Sequence, residues 1–162
     1  MYFSFFESII IRYGLVLWGG SSRVKEIFIL QKKVIRILSR SHFTDSCRPL
    51  CVDLRILTIY NFYILHLLIL VHNTSESDFD ARSDVHEYNT RSKSNIDIPF
   101  FRLEKAFKSY LYLGPKLYNM LPKEHKSLKI NVFRTTVFDW LVKHPFYSID
   151  EFVNFKTSNL FA

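Results

Sequence analysis

Five of the positively charged side chains between residues 22 and 40 could bind a phosphate backbone: Lys25, Lys32, Lys33, Arg36 and Arg40. Lysine and arginine neutralise phosphates and release counterions, so several of them on one helix supply affinity for nucleic acid that is independent of base sequence. An amphipathic helix also carries such residues simply because its outer side faces water. The pattern leaves both interpretations open, and it makes these five residues the candidate nucleic-acid-binding site.

Two cysteines and several histidines are the other side chains with reactive or metal-binding chemistry. Cys47 and Cys51 are four residues apart, so a helix would place both thiols on one face, and four histidines are candidates for further zinc ligands: His42, His66, His72 and His86. No second ligand pair follows at the spacing of a zinc finger. Any chain with two cysteines and six histidines also permits a Cys–His nucleophile on paper. We therefore predict ordinary buried thiols and assign no metal-binding residue.

Carboxylates and glycine-rich loops give no catalytic site either. The acidic residues between positions 76 and 87 lack the central glycine and the terminal glutamate of a calcium loop, which favours a solvated acidic segment. The chain has only 4 glycines and contains no Gly-x-Ser-x-Gly, Gly-x-Gly-x-x-Gly or Walker-type sequence. The sequence therefore predicts a protein that is not an enzyme, with no catalytic residue and no cofactor.

The overall composition is typical of a globular chain with a bulky core. Hydrophobic residues make up 48% of the 162 residues, and 16 of them are phenylalanine. The formal net charge of +7 favours an anionic partner, RNA or DNA. Two cysteines are too few for a disulfide framework and the leading segment does not resemble a signal peptide, which predicts a location in the cytoplasm or nucleus.

The elements that position the charged residues are predicted to be helices. Residues 2–18 are apolar on nearly every side, which is typical of a buried helix, and Gly19-Gly20 ends it. Ser21 or Ser22 can cap a basic amphipathic helix over residues 22–40. The residues of one largely apolar stripe recur at spacings of three and four: Val24, Ile27, Phe28, Gln31, Val34, Ile35 and Leu38.

A second, wholly apolar helix is predicted over residues 58–72, after a connection at 42–49 and a short helical turn at 50–54. Thr58 is its expected cap. Residues 56–71 carry no formal charge, which raises the alternative of a membrane span. That run is shorter than the roughly 20 residues that a bilayer requires and contains Asn61 and His66, so a buried core helix is favoured and a membrane partner is disfavoured.

Residues 73–99 interrupt this pattern, because Ser, Asp, Asn and Thr dominate them and their first half is acidic. We predict a long flexible polar loop there, between a helical segment at 1–72 and another at 100–162. In the second segment we expect a helix over 103–111 that Gly114-Pro115 stops, a short helix over 116–121, and a helix over 132–143 capped by Asn131. Ser148-Ile149-Asp150-Glu151 matches a capping box for a last helix. The predicted fold is all-α, with several short to medium helices around a Phe/Ile/Leu-rich core.

A series of short motifs runs from Tyr13 to Phe152: Tyr13-Gly14, Trp18-Gly19, Ile27-Phe28, Leu30-Gln31-Lys32-Lys33, Ile35-Arg36, Cys47-Arg48-Pro49-Leu50, Ile56-Leu57, His86, Tyr88-Asn89-Thr90-Arg91, Leu117-Tyr118-Asn119, Leu121-Pro122, Phe133, Tyr147-Ser148-Ile149 and Glu151-Phe152. In order and spacing, this series resembles the region that follows the reverse transcriptase domain of jockey-like non-LTR (LINE-type) retrotransposon proteins. Each motif is short, and it is their common order that carries the resemblance. Cys51 departs from it, because relatives usually have Phe at that position.

The resemblance implies that a complete relative carries an endonuclease and a polymerase domain upstream and copies element RNA into DNA at a nicked chromosomal site. The aromatic-x-Asp-Asp turn of such polymerases does not occur in this sequence. The implied identity is therefore a non-catalytic C-terminal helical segment that follows the polymerase thumb and contacts nucleic acid. No binding residue is transferred from the family, and Tyr118, Asn119 and Pro122 are expected to form a structural turn.

Two alternatives to nucleic-acid binding stay open at this point. The first is a structural or interaction remnant, whose apolar first helix packs on the upstream polymerase domain of a full-length relative. The second is a small membrane-associated helical protein, anchored by residues 56–71. The three hypotheses differ in the surface that each requires: a positively charged face, an exposed apolar protein-binding face, or a membrane-spanning helix.

Overall fold

Helices form most of the part of the chain that the structure describes. This structure is a computed structural model that describes residue 8 and residues 14–74, 95–98 and 100–155. The helices within those residues are α1 (Leu15–Trp18), α2 (Val24–Ser39), α3 (Cys47–Asp53), α4 (Ile59–Thr74), a 3-10 helix (Glu104–Lys108), α5 (Tyr110–Asn119), α6 (Lys123–Lys126), α7 (Ile130–Lys143) and α8 (Ile149–Asn154). The predicted all-α fold is confirmed.

Helix α4 lies at the centre of the fold. Helices α1, α2, α5 and α7 all pack against it, and nearly every residue from Ile59 to Leu68 is buried. A helix that is apolar on all sides is stable in water only when neighbours cover it completely, and these four helices provide that cover. The predicted buried core helix is confirmed, with an end at Thr74. No helix in the described part of the chain is both long enough and apolar enough to cross a bilayer.

The hydrophobic core draws residues from both predicted helical segments. One cluster of buried side chains includes Phe28 and Ile35 from α2, and Phe133 and Leu141 from α7. A second concentration of aromatic rings surrounds Trp140, whose ring stacks on His144 at 4.5 Å and meets the side chains of Phe146, Phe152 and Phe155. The first cluster joins side chains from both predicted segments and so ties them into one body, whereas the rings around Trp140 all come from the second segment.

Two polar residues at the start of α4 connect it to the loop after α7. The hydroxyl oxygen of Thr58 accepts a hydrogen bond from Asn61 N–H (3.1 Å), as the predicted cap requires, and the hydroxyl donates to the carbonyl of Phe146 (2.8 Å). The side-chain amide of Asn61 donates to the carbonyls of Leu141 (2.7 Å) and His144 (2.9 Å), and its oxygen accepts from Phe146 N–H (3.1 Å). Asn61 therefore supplies hydrogen-bond partners to backbone groups at the C-terminal end of α7, two of which, His144 O and Phe146 N–H, lie beyond its last residue.

Gln31 makes an equivalent connection between α2 and the chain before α4. It is completely buried, its amide donates to Leu57 O (2.8 Å), and its oxygen accepts from Ile59 N–H (2.8 Å). A buried side-chain amide is tolerated because both of its ends are paired. The apolar stripe of α2 thus contains one polar residue that fixes the path of the backbone into α4.

Helices α2 and α3 begin at positions that differ from the prediction. Neither Ser21 nor Ser22 caps α2, because the chain enters the helix through Arg23, which already has helical dihedral angles. Helix α3 begins at Cys47, inside the predicted connection at 42–49, since Ser46 accepts a hydrogen bond from Arg48 N–H and acts as its cap. Pro49 does not prevent this, because proline is tolerated in the first turn of a helix.

The Gly114-Pro115 pair does not stop a helix, so that prediction is wrong. The chain forms the 3-10 helix Glu104–Lys108, then Ser109 caps α5, which continues through both residues to Asn119. Gly114 allows α5 to approach α4 closely, because a Cβ atom there would lie 2.8 Å from Val71 Cγ2. Burial of Leu117 and its neighbours against α4 offsets the hydrogen bond that Pro115 cannot donate.

The predictions for the last two helices differ from the structure in detail. Helix α7 begins at Ile130 after an extended Lys129, so Asn131 lies inside the helix and does not cap it. Ser148 caps α8, as predicted, by accepting from Glu151 N–H (3.0 Å). The Glu151 carboxylate accepts from Tyr147 N–H (2.8 Å), one residue before the position in an ideal capping box. Most of the predicted helix 2–18 and most of the predicted loop 73–99 lie outside the described residues.

Candidate nucleic-acid interface

One face of the C-terminal half of α2 is exposed to solvent, and the chain turns sharply where the helix ends. Its buried face consists of Val24, Phe28, Gln31 and Ile35. The helix ends at Arg40, which has left-handed dihedral angles (φ 53°, ψ 31°), while Ser41 N–H bonds back to Arg36 O (3.0 Å). This is the usual way for a helix to satisfy its last carbonyls, and it folds the next residues back beside α2.

Three of the five predicted basic residues line one shallow groove at this end of α2. The groove has a volume of about 530 Å³ and is lined by Lys33, Arg36, Ile37, Arg40, Ser41 and Phe43. The guanidinium of Arg36 donates through Nε (3.0 Å) and Nη2 (2.9 Å) to Asp45 O. Since that carbonyl is uncharged, Arg36 keeps its positive charge while it fixes the wall of the groove.

The other two predicted residues lie elsewhere on α2. Lys32 is half-buried, and its ammonium nitrogen lies 4.8 Å from the ring centre of Phe28 and 5.6 Å from that of Tyr147. Lys25 is exposed in the first turn of the helix, about 22 Å along the axis from Arg40 at a rise of about 1.5 Å per residue. The structure therefore divides the predicted set into three groove residues, one aromatic-packed lysine and one distant lysine.

The outer face of α2 and the loop that follows it also expose apolar side chains that the sequence pattern did not indicate. Ile37 and Phe43 are each 75% exposed, and Ile29 and Leu30 are about half exposed. Leu38, which the periodic stripe placed in the core, is 42% exposed. Ile37 and Phe43 lie among the groove cations, so the groove combines positive charge with apolar surface. A single aromatic residue in a loop has no periodicity, and this is why Phe43 was not singled out.

Arg48 is a further important cation that the sequence analysis did not select. Its guanidinium forms an ion pair with Glu151 Oε1 (2.7 Å), donates to Pro145 O (3.2 Å) and lies 4.3 Å from the ring centre of Tyr147. Partial burial raises the pKa of Glu151, but the hydrogen bonds from Arg48 and from Tyr147 N–H outweigh it and lower the pKa below its ordinary value. These contacts join α3 to the cap of α8, so Arg48 has a structural role.

The cysteine and histidine candidates do not form a reactive site in the described part of the chain. Burial raises the pKa of Cys51 to about 12, and that of Cys47 is also raised by burial, so both thiols stay protonated near pH 7. His72 hydrogen-bonds Tyr118 Oη (3.1 Å) and Leu128 O (2.9 Å). Among the described residues, no group of three or more His, Cys, Asp or Glu side chains could hold a metal ion, and His86 lies outside them.

The residues near Leu121-Pro122 act as structural contacts. Tyr118 bonds to His72 as described above, and the side-chain amide of Asn119 exchanges two hydrogen bonds of 2.9 Å with the backbone N–H and carbonyl of Ile96. Pro122 precedes the short helix α6. Several motifs that carry the resemblance thus correspond to long-range contacts, among them Arg48 with Glu151 and Gln31 with Leu57.

The groove beside α2 thus combines exposed cations with an exposed aromatic ring. Function is inferred from this geometry and from the order of the sequence motifs. None of the protein-family models, curated proteins or solved structures compared with this chain matches it.

Proposed function

We propose that this chain is a non-catalytic helical module that binds RNA or DNA through the groove at the end of α2. We further propose that it is the C-terminal region of a non-LTR retrotransposon RNA-directed DNA polymerase, with a location in the cytoplasm or nucleus. The binding proposal is carried by one observation: Lys33, Arg36 and Arg40 converge on one groove whose lining contains no carboxylate side chain. The origin is supported by the order of the motifs alone.

The charges in the groove are available to a ligand. Within the described residues, neither Lys33 nor Arg40 forms a side-chain hydrogen bond or an ion pair, and both are exposed. Arg36 is bonded only to a neutral carbonyl. Three such cations that each neutralise a phosphate give a slope of log K against log salt of about −2 to −3. The net charge of +7 adds a favourable field for the approach of a polyanion.

Fluorescence anisotropy with a labelled oligonucleotide, repeated from about 50 to 300 mM salt, tests this proposal. The double variant Lys33→Glu/Arg40→Glu should lower affinity at least ~10-fold and flatten the salt dependence. The matched control Arg134→Glu/Lys143→Glu makes the same change of charge at two exposed positions outside the groove, and it should bind more tightly than the groove variant. Affinity that does not change with salt would remove the proposal.

A second candidate function is docking on a partner protein, such as the upstream polymerase domain of a full-length relative. It is favoured by apolar side chains exposed away from the groove, since Leu17 is 78%, Phe100 87% and Leu103 73% exposed. Such side chains are typical of interaction surfaces when they form a continuous patch. If this alternative is correct, the chain does not bind nucleic acid at any salt concentration. It should also be poorly soluble alone, and co-expression with the upstream domain should improve its solubility.

A further inference from the structure

We infer that the groove beside α2 takes a single strand of RNA or DNA, and that Phe43 is the platform on which one base stacks. This inference rests on the proposed function and specifies its ligand. Single-strand sites combine a positively charged groove for the phosphates with exposed aromatic rings for the bases, because every base has a face that can stack. The groove contains both parts, since Lys33 and Arg40 lie in the same lining as Phe43.

The loop that carries Phe43 is held in a defined shape. Besides the two bonds from Arg36 to Asp45 O, the Asp45 carboxylate accepts from His42 N–H (2.8 Å), and His42 Nδ1 is 3.0 Å from Thr44 Oγ1. The chain is thus pinned on both sides of Phe43, whose ring nevertheless stays 75% exposed. Because this loop is already ordered, its exposed aromatic ring can bind a base without the free-energy cost of ordering the loop.

The surroundings of Phe43 also suit an unstacked base of a single strand better than a base-paired duplex. The His42 ring lies 4.9 Å from the Phe43 ring at an angle of 38°, and the exposed side chain of Ile37 shares the groove lining. Bases in a duplex are stacked on each other and present only their edges and phosphates, so they cannot cover these apolar groups. An unstacked base covers them while its two flanking phosphates contact the cations.

The test compares three probes of equal length: an oligo(U) strand, the same phosphate backbone with abasic sites, and a duplex. Phe43→Ala should weaken oligo(U) binding by about 5- to 150-fold at fixed salt, the change expected for one stacked base. It should leave binding of the abasic strand and the salt slope unchanged. Phe43→Trp should restore the affinity for oligo(U), because a larger ring stacks at least as well.

Phe100→Ala is the matched control, since Phe100 is 87% exposed and does not line the groove. It should bind oligo(U) like the unchanged protein, and circular dichroism should show that all variants keep their helix content, because both rings are exposed. Salt-dependent binding that Phe43→Ala leaves unchanged would overturn the stacking inference while the proposed function stands. Absence of binding to every probe would instead overturn both. Equal, Phe43-dependent binding of a poly-glutamate peptide would assign the groove to an acidic protein partner and overturn the inference.

Discussion

Replacement of Asn61 by alanine should be among the most destabilising single substitutions in this protein. The side chain is fully buried at the start of α4, where it donates to the carbonyls of Leu141 and His144 and accepts from Phe146 N–H. Asn61→Ala removes all three hydrogen bonds at once. No water can be expected to replace them fully, because two of these three bonds are buried.

The expected loss of unfolding free energy follows from the backbone groups that no longer have a hydrogen-bond partner. The carbonyl of Leu141 keeps one other donor, His144 N–H at 3.2 Å, so the bonds to His144 O and Phe146 N–H account for most of the cost. At about 1–3 kcal/mol for each of these two unsatisfied groups, the substitution should lower the free energy of unfolding by about 2–6 kcal/mol. A domain of this size is stable by only about 5–15 kcal/mol, and its melting temperature should fall by roughly 10 °C.

Urea titration followed by circular dichroism at 222 nm measures this change. The control is Asn131→Ala, which deletes the same side chain at an exposed position inside α7 and should change stability by less than about 0.5 kcal/mol. A loss for Asn61→Ala within about 1 kcal/mol of that control would refute the assigned role of Asn61.

Asn61→Asp gives an independent check through pH. A carboxylate would still accept from Phe146 N–H, but its second oxygen would face the carbonyls of Leu141 and His144, which repel it unless it is protonated. The pKa of this aspartate would therefore be raised in the folded state. Its destabilising effect should be small at acid pH and grow as the pH rises through the unfolded-state value, and a constant penalty would contradict the geometry.

Two further predictions concern helix packing and the ion pair at the last helix. Gly114→Ala should lower the free energy of unfolding by about 1–3 kcal/mol in thermal unfolding, because the new Cβ atom would press on Val71 Cγ2. In the double variant with Val71→Ala part of this loss should disappear, and additive losses from the two substitutions would contradict the contact. The lowered pKa of Glu151 means that its contact with Arg48 adds stability above the unfolded-state pKa of that carboxyl, and this contribution disappears as the pH falls through the folded-state value. The unfolding free energy of Glu151→Gln, measured between pH 7 and pH 3, should therefore change less with pH than that of the unchanged protein, and equal slopes would disprove the link.

The parts of the fold that the sequence predicted correctly are those that local physics determines. Helix α4 was predictable because an uncharged run can be helical and soluble only when it is buried. Thr58 and Ser148 were recognised as caps because their side chains bond to N–H groups within three residues. Helix α2 was recognised by its apolar period, and its predicted end at residue 40 is close to the observed end at Ser39.

The parts that could not be predicted depend on contacts between distant residues. Gly114 and Pro115 are helix breakers by intrinsic preference, but packing of α5 on α4 decides their structure. The sequence selected five cations without distinguishing them, because one of the two aromatic rings that contact Lys32, that of Tyr147, lies more than a hundred residues away in the chain. The functional interpretation itself, binding of nucleic acid, stays a prediction.

The position of α4 has a consequence for synthesis of the chain on the ribosome. This helix is complete at Thr74, yet the helices α5 and α7 that cover it end only at Asn119 and Lys143. The ribosome must therefore add about 70 more residues, which takes roughly 4–14 s, before α5 and α7 can cover α4. During that time only α1 and α2, which precede it, can bury part of its apolar surface. We expect nascent chains of this protein to recruit chaperones during that interval, and truncation before α7 to yield aggregates.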